Sequence, residues 1–264
     1  MATVTAMATA IKRNSNMHII NFIRPRKSFV ESGLLHGITD IHSHILPGVD
    51  DGTGTYEEAV KVLRWLKDKG ICRMYLTPHV MSDIIKNNRT YLTQAFETLV
   101  RHLEKDEIND IPALKLGAEY MLDAAFEQHK KSGLITYAGR HVLVETSYML
   151  PPVNFVKLLE QPAIDGYSLI LAHPERYVYM EEFDYEYLKQ KNISFQLNFL
   201  SMTGAYGNIA QKKADKLLKN GYYDYVGSDF HRLKRHEHSF FAATLTKKQI
   251  VAIKELFDNN ERLW

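Results

Sequence analysis

The sequence predicts a parallel α/β fold, a sheet or a barrel, on three observations. Seven short, nearly continuous apolar runs recur after residue 37. Helix-like segments with their own start and stop residues separate them. Each apolar run closes on His, Glu, Asn or Asp. Short apolar runs of this kind suit strands buried on both faces, and strand followed by helix, repeated about seven times, builds parallel sheets and barrels.

The strand candidates, in order, are 37–44, 71–79, 114–120, 140–147, 167–175, 193–199 and 222–231. Thr55 and Glu58 read as a capping box before the stripe Ala59, Val62, Leu63 and Leu66, and Gly70 marks that helix's end. Leu92, Ala95, Phe96, Leu99 and Leu103 recur at helical spacing. Asp123 reads as a cap for the next helix, 212–220 as a further one, and Thr246 with Gln249 as the start of the last. The stretch 177–188, rich in Tyr and acidic residues, is left open between helix, lid and partner surface.

The bulk numbers narrow the function. The chain has 264 residues, 45% of them hydrophobic and 24% charged, which fits one catalytic domain over 38–264. A net charge of +2 gives no reason to expect nucleic acid. No apolar run reaches the roughly 18 residues of a membrane span. The single cysteine, Cys72, allows no intrachain disulfide and reads as a small core residue. Pro78 stands where a thiol phosphatase would want its arginine. Residues 1–37 read as a partly flexible basic extension, with Met17 as an alternative start. Arg24, Arg26 and Lys27, near Phe22 and Phe29, are its candidates for touching acidic lipid or a partner.

The polar residues at the run ends are His42 and His44, His79, Glu119, Glu145, His173, Asn198, and Asp229 with His231. Their spacing is roughly 25 to 40 residues, about one βα unit each. In a parallel barrel all strand C-termini share one rim, so these side chains would converge there. His and carboxylate are ligands for zinc, manganese and iron. His42 and His44, and again Asp229 and His231, sit two apart and share a strand face. Each has a plain structural reading. His173 could be a hydrogen-bonded core histidine, Glu119 an ion-pair partner, Asn198 a loop cap, and the Asp50–Asp51 pair turn formers. Their shared register at seven strand ends favours two or three bound cations.

These residues also carry a resemblance. The motifs "DIHSHILPGVDDG", "TPH", "GAEY", "LVETS", "LAHPERY" and "GSDFH", in this order, resemble the polymerase and histidinol phosphatase (PHP) superfamily. They are most similar to its bacterial capsule and exopolysaccharide branch, the manganese-dependent tyrosine-protein phosphatases of the CpsB/YwqE type. The resemblance spans about residues 38 to 235. It implies a distorted (β/α)7 barrel and two to three divalent metal ions, manganese first, with iron or zinc accepted by the same donors.

The resemblance implies a first metal on His42, His44, Glu119 and Asp229. Glu119 would bridge to a second, completed by Glu145 and His173. Asp51, rather than Asp50, would hold a third with His79 and His231. Asp40 would stand behind the ligands and fix a histidine's tautomer, and Asn198 would support the site from the same distance. Arg176 would bind phosphate, Asp229 would join the catalytic set, and Arg235 is preferred over Arg232 as the second arginine. The implied activity is hydrolysis of phosphotyrosine on the tail of a membrane-bound tyrosine autokinase. That places the protein in the cytoplasm, near the inner membrane surface; self-association is compatible with this but not required by it. The alternative is a PHP phosphoesterase acting on a small monoester such as histidinol phosphate.

Overall fold

The computed structural model describes residues 25–264. Arg24 and Phe22 of the basic segment lie outside them. All strands pair in parallel. The first strand begins as β1 (Thr39–Asp40). The second is split into β2 (Arg73–Leu76) and β3 (His79–Val80), and the third into β4 (Ala113–Leu116) and β5 (Glu119–Met121). Then come β6 (His141–Glu145), β7 (Ser168–Ala172), β8 (Ser194–Asn198) and β9 (Tyr225–Gly227).

The splits have a local cause. Pro78 has no N–H to offer the ladder, and a side chain on Gly117 would come within 2.8 Å of Thr77 Cγ2. Backbone bonds from Gly117 N to Leu76 O (2.8 Å) and Glu119 N to Pro78 O (3.1 Å) keep the split strands in step. Beyond β9, Asp229 N donates to His42 O and His44 N to Phe230 O, each at 2.8 Å. The last strand thereby meets the first, and hydrogen bonding runs round all seven strand positions.

Side-chain alternation divides the core. Val142 and Val144 of β6, Leu169 and Leu171 of β7, and Phe195 and Leu197 of β8 join the large outer core under the helices. Leu143 and Ile170 turn inward, with Ile41, Tyr75 and Ala172. The C-terminus closes this inner space, with Leu263 buried among these residues and its carbonyl accepting from Tyr75 Oη at 2.6 Å.

The helices follow the expected punctuation with corrections. Thr55 caps α2 (Tyr56–Asp68), but the Glu58 carboxylate accepts from Gly54 N, one residue short of a full box. Leu92, Leu99 and Leu103 bury one face of α3 (Arg89–Lys105). Asp123 bonds Ala125 N and Ser82 N, ahead of α4 (Phe126–Lys131). The others are α5 (Phe155–Ile164), α6 (Glu182–Gln190), α7 (Gly207–Lys219), α8 (Leu233–Phe240) and α9 (Lys247–Asn260), the last with the full Thr246–Gln249 box. The open stretch 177–188 therefore ends in α6. Cys72 is half-buried and precedes β2 rather than lying in it.

A boundary at residue 37 cuts through packed structure. Ser28 and Glu31 form a capping box on α1 (Phe29–Ser32), and Lys27 bridges Leu245. Phe29 is fully buried, its ring 4.7 Å from that of Phe199. Arg26 donates to Thr244 O. The described end of the extension expected over 1–37 is held in the core by Phe29, Leu34 and Leu35. Phe29→Ala should therefore destabilise the whole domain by about 3 to 5 kcal/mol. Urea unfolding measures this, and a loss under about 1 kcal/mol would show that α1 packs only loosely.

Candidate metal centre

Six strand ends and the loop after the first strand bring the predicted residues together. His42 Nε2 lies 3.2 Å from His44 Nε2. Glu119 Oε2 is 3.2 Å from His42 Nε2 and 3.4 Å from His44 Nε2. Asp229 Oδ1 is 3.4 and 3.2 Å from the same two nitrogens. Among the described residues these four donors are one of three groups of His and carboxylate atoms close enough to share a cation. The second is His44, Asp51, His79 and His231, and the third is His79, Glu119 and Glu145.

Hydrogen bonds on the far side of each ring decide which nitrogen faces inward. His42 Nδ1 donates to Gln196 Oε1 at 2.9 Å, while the Gln196 amide N–H donates to Leu197 O. His44 Nδ1 donates to Asp50 Oδ2 at 2.8 Å. His231 Nδ1 donates to Asp229 O at 2.9 Å. In the neutral ring each Nε2 is then a bare lone pair, the form a metal requires. Those of His42 and His44 face each other; that of His231 faces Asp51 Oδ1 at 3.2 Å.

Two backbone conformations matter. His173 (φ 35°) and Asp229 (φ 52°) occupy the left-handed region, sparsely used by residues with a Cβ. Alternation along β7 sends Leu169 and Leu171 outward, so His173 would follow them in a regular strand. The left-handed turn redirects it, and His173 Nε2 reaches Glu119 Oε1 at 3.0 Å. His173 N held to Gln196 O, and Asp229 N to His42 O, fix these turns.

The loop after His44 packs without slack. A side chain on Gly52 would overlap the His44 carbonyl, 1.8 Å from its oxygen. Arg232 Nε, bonded to Gly52 O at 2.8 Å, holds the loop from the other side.

The structure amends the role expected of Asp40. Asp40 Oδ1 accepts from the backbone N–H of His42 (3.2 Å) and Ser228 (3.0 Å); it steers the chain and touches no imidazole. Tautomer control falls to Gln196 and Asp50. The available signal for Gln196 was a lone amide inside a buried apolar run, since buried polar groups need partners. Asp50 is the buried member of its pair, while Asp51 stays 62% exposed and offers Oδ1 to His79 and His231. His79 Nδ1, 2.8 Å from Glu145 Oε1, joins Glu119 and Glu145 in the third group, while His173 Nε2 stands 3.0 Å from Glu119 Oε1 and 4.0 Å from Glu145 Oε2.

The second circle is close. Arg176 follows His173 in a 3₁₀ turn, Pro174–Arg176, anchored by the buried Glu175, which accepts from Ser201 Oγ and Tyr223 Oη. Its Nη1 donates to Asp229 Oδ2. Asn198 Nδ2 donates to the same oxygen at 3.1 Å, and its Oδ1 caps Leu200 N. Arg235 is exposed on α8, and its charge reaches Tyr206 and His236.

Charge is finely opposed here. Burial pushes Asp229 up, but His42, Arg176 and His231 outweigh it and hold the carboxyl well below its usual range. Burial likewise raises Glu119, and His42 with bonds from His173 and His44 hold it low. Burial and the neighbouring Glu119 charge push Glu145 up. Burial opposes charge on His44, yet Asp50, Asp229 and Glu119 keep it well above the ordinary imidazole range.

The donor set fits divalent cations. His79 Nδ1, Glu119 Oε2 and Glu145 Oε1 are buried and crowded, with His79 Nδ1 3.1 and 2.8 Å from the two carboxylate oxygens but without well-aligned hydrogen bonds, an arrangement a shared cation would complete. Five separations within the His42–His44–Glu119–Asp229 group are 3.2 to 3.4 Å, spacings that atoms ligating one cation adopt. If the site holds a cation, Gln196→Leu should weaken its affinity about 10- to 100-fold by releasing His42. A competition titration with a metal chelator would measure this; unchanged affinity would show that Gln196 does not orient the ring.

Comparison with known proteins places this arrangement. The family model described as "Capsular polysaccharide synthesis, CpsB/CapC" matches residues 38–261. The tyrosine-protein phosphatase YwqE of Bacillus subtilis is 28% identical over 216 residues, 80% of this chain and 84% of the relative. The tyrosine-protein phosphatase CpsB of Streptococcus pneumoniae is 28% identical over 236 residues, 84% of this chain and 96% of the relative. A solved structure from work on these two proteins, described as metal-dependent tyrosine phosphatases, superposes with a TM-score of 0.71 at 24% identity. It covers 86% of this chain and 94% of that one, and it establishes the shared α/β fold. The chain therefore belongs to the CpsB/CapC capsular polysaccharide synthesis family.

Proposed function

We propose that the protein is a metal-dependent protein-tyrosine phosphatase of capsule or exopolysaccharide synthesis. The observation that carries this reading is the buried His42–His44–Glu119–Asp229 group, with Arg176 on the outer oxygen of Asp229. The relatives' names supply the substrate class. Two to three divalent cations, manganese first, would be held by His42, His44, His79, Glu119, Glu145, Asp229, Asp51 and His231, with His173 beside them. Bound, such cations supply charge neutralisation and a water acidic enough to attack phosphorus near neutral pH.

The chain's own residues do the rest. Gln196, Asp50 and the Asp229 carbonyl keep three imidazoles in the ligating tautomer. Arg176 meets the arriving phosphate dianion, which competes with Asp229 for its guanidinium, and Arg235 on α8 is the second cation at the mouth. A phenolate leaving group, with a pKa of about 10, needs little help from an acid. We take the substrate to be the phosphotyrosine tail of a membrane-bound tyrosine autokinase, reached from the cytoplasm. Among the described residues no helix is long and apolar enough to cross a membrane.

The test is hydrolysis of a phosphotyrosyl peptide against histidinol phosphate by the metal-loaded protein. Faster turnover of the peptide supports the reading; preference for the small ester would transfer the chain to the alternative phosphoesterase class.

Cation binding must also displace protons. Burial disfavours charge on His79, but Glu119 and Glu145 outweigh it and push the ring up to about 10. His44 sits high as well. Protons bound there compete with metal, so apparent manganese affinity should strengthen as pH rises from about 6 to 8, with proton release. Calorimetry in buffers of different ionisation enthalpy reads both quantities. Affinity independent of pH would contradict ligation by these rings.

A further inference from the structure

Arg176 is flanked by two aromatic rings that no part of the reading above uses. Its guanidinium carbon lies 4.5 Å from the Tyr148 ring centre and 4.1 Å from that of Tyr206. The rings arrive from different parts of the fold. Tyr148 follows β6, and its carbonyl accepts from Val178 N at 2.9 Å, which ties it to the chain just past Arg176. Tyr206 is the residue preceding α7, and its hydroxyl lies 3.4 Å from Asp229 Oδ2, the oxygen that also receives Arg176. The guanidinium thus donates to a carboxylate and lies over two aromatic rings. Only 11% of the Arg176 side chain is exposed.

A long arginine side chain freezes several rotors when it binds an anion, and that cost is lower if the rotors are already fixed. Aromatic faces hold a guanidinium without occupying its N–H donors. Asp229 occupies donors, and an arriving dianion can displace it. We infer that Tyr148 and Tyr206 are positioning residues: they keep the Arg176 guanidinium oriented while its N–H groups pass from Asp229 to the phosphate of the substrate. The inference rests on the assignment of Arg176 to phosphate.

The experiment uses the full metal-loaded chain with Tyr148→Leu, Tyr148→Phe, Tyr206→Leu, Tyr206→Phe and Arg176→Ala. Inorganic phosphate is the probe, its affinity taken from competitive inhibition of phosphotyrosyl-peptide hydrolysis and from direct calorimetry. Metal content is measured alongside. The Leu variants should weaken phosphate binding on the order of three- to thirtyfold. The Phe variants, which keep the ring face, should stay within about twofold of the parent. Metal content should not move in either set.

Leu variants that bind phosphate like the parent, while Arg176→Ala binds it more weakly, overturn the inference and leave the role of Arg176 intact. Arg176→Ala with unchanged phosphate affinity removes the assignment beneath it. Equal losses in Leu and Phe variants would assign the effect to the hydroxyls. Weaker peptide binding with unchanged phosphate affinity in Tyr148→Leu would place that ring against the substrate's own ring. Either result overturns the positioning role.

Discussion

Glu119→Gln should reduce hydrolysis of a phosphotyrosyl peptide by about a thousandfold or more, and the purified variant should retain less metal than the parent. Glu119 faces four histidines from three strand ends. Its Oε2 lies within 3.4 Å of His42 and His44 and 3.1 Å from His79, while Oε1 is 3.0 Å from His173. Glutamine keeps the volume and one oxygen but removes the charge. It also lets an N–H occupy the Nε2 lone pairs of His42 and His44 that a cation would need. The fold should survive, since the outer apolar core does not involve position 119. Circular dichroism together with metal analysis separates these effects. A variant with parental metal content and rate would exclude Glu119 from cation binding.

The second large effect is at Arg176. Arg176→Ala should lower kcat/KM for the peptide about 10²- to 10³-fold, the usual cost of removing one preorganised donor to a developing anion. Arg176→Lys should recover only part of this, because an ammonium offers a point charge where the guanidinium presents a planar fork. Metal content should stay at the parental value, which distinguishes this loss from that of Glu119→Gln. The loss of Asp229's cationic neighbour is the reason to measure it: burial alone pushes that carboxyl up, and Arg176 is one of the charges holding it low. Steady-state kinetics across phosphotyrosyl-peptide concentrations would check the prediction. A fall of less than about threefold would remove Arg176 from the phosphate site.

The parts of this molecule that were legible in sequence are those where one short motif carries the physics. Seven apolar runs fixed the seven strand positions, because burial on both faces needs continuous apolarity. The polar residue ending each run named the site, because strand C-termini share a rim. The less legible parts depend on partners distant in sequence. Asp40 and Asp50 are both aspartates beside the first motif, and only the packing of the loop against His44 tells which one reaches an imidazole. His173 faces the site because its backbone is left-handed, a conformation no residue type there announces. Gln196 looks like any polar residue in a strand until His42 is placed opposite it. Residues 1–37 read as a basic extension because Arg24, Arg26 and Lys27 draw the eye, while Phe29, Leu34 and Leu35 are the material of a core.

The most direct test of the account is metal analysis of the purified full chain, paired with a phosphotyrosyl-peptide assay before and after chelation. The account predicts roughly two to three divalent ions per chain, hydrolysis abolished by chelator, and activity restored by manganese. Undiminished hydrolysis by a chain carrying well under about one ion would contradict it.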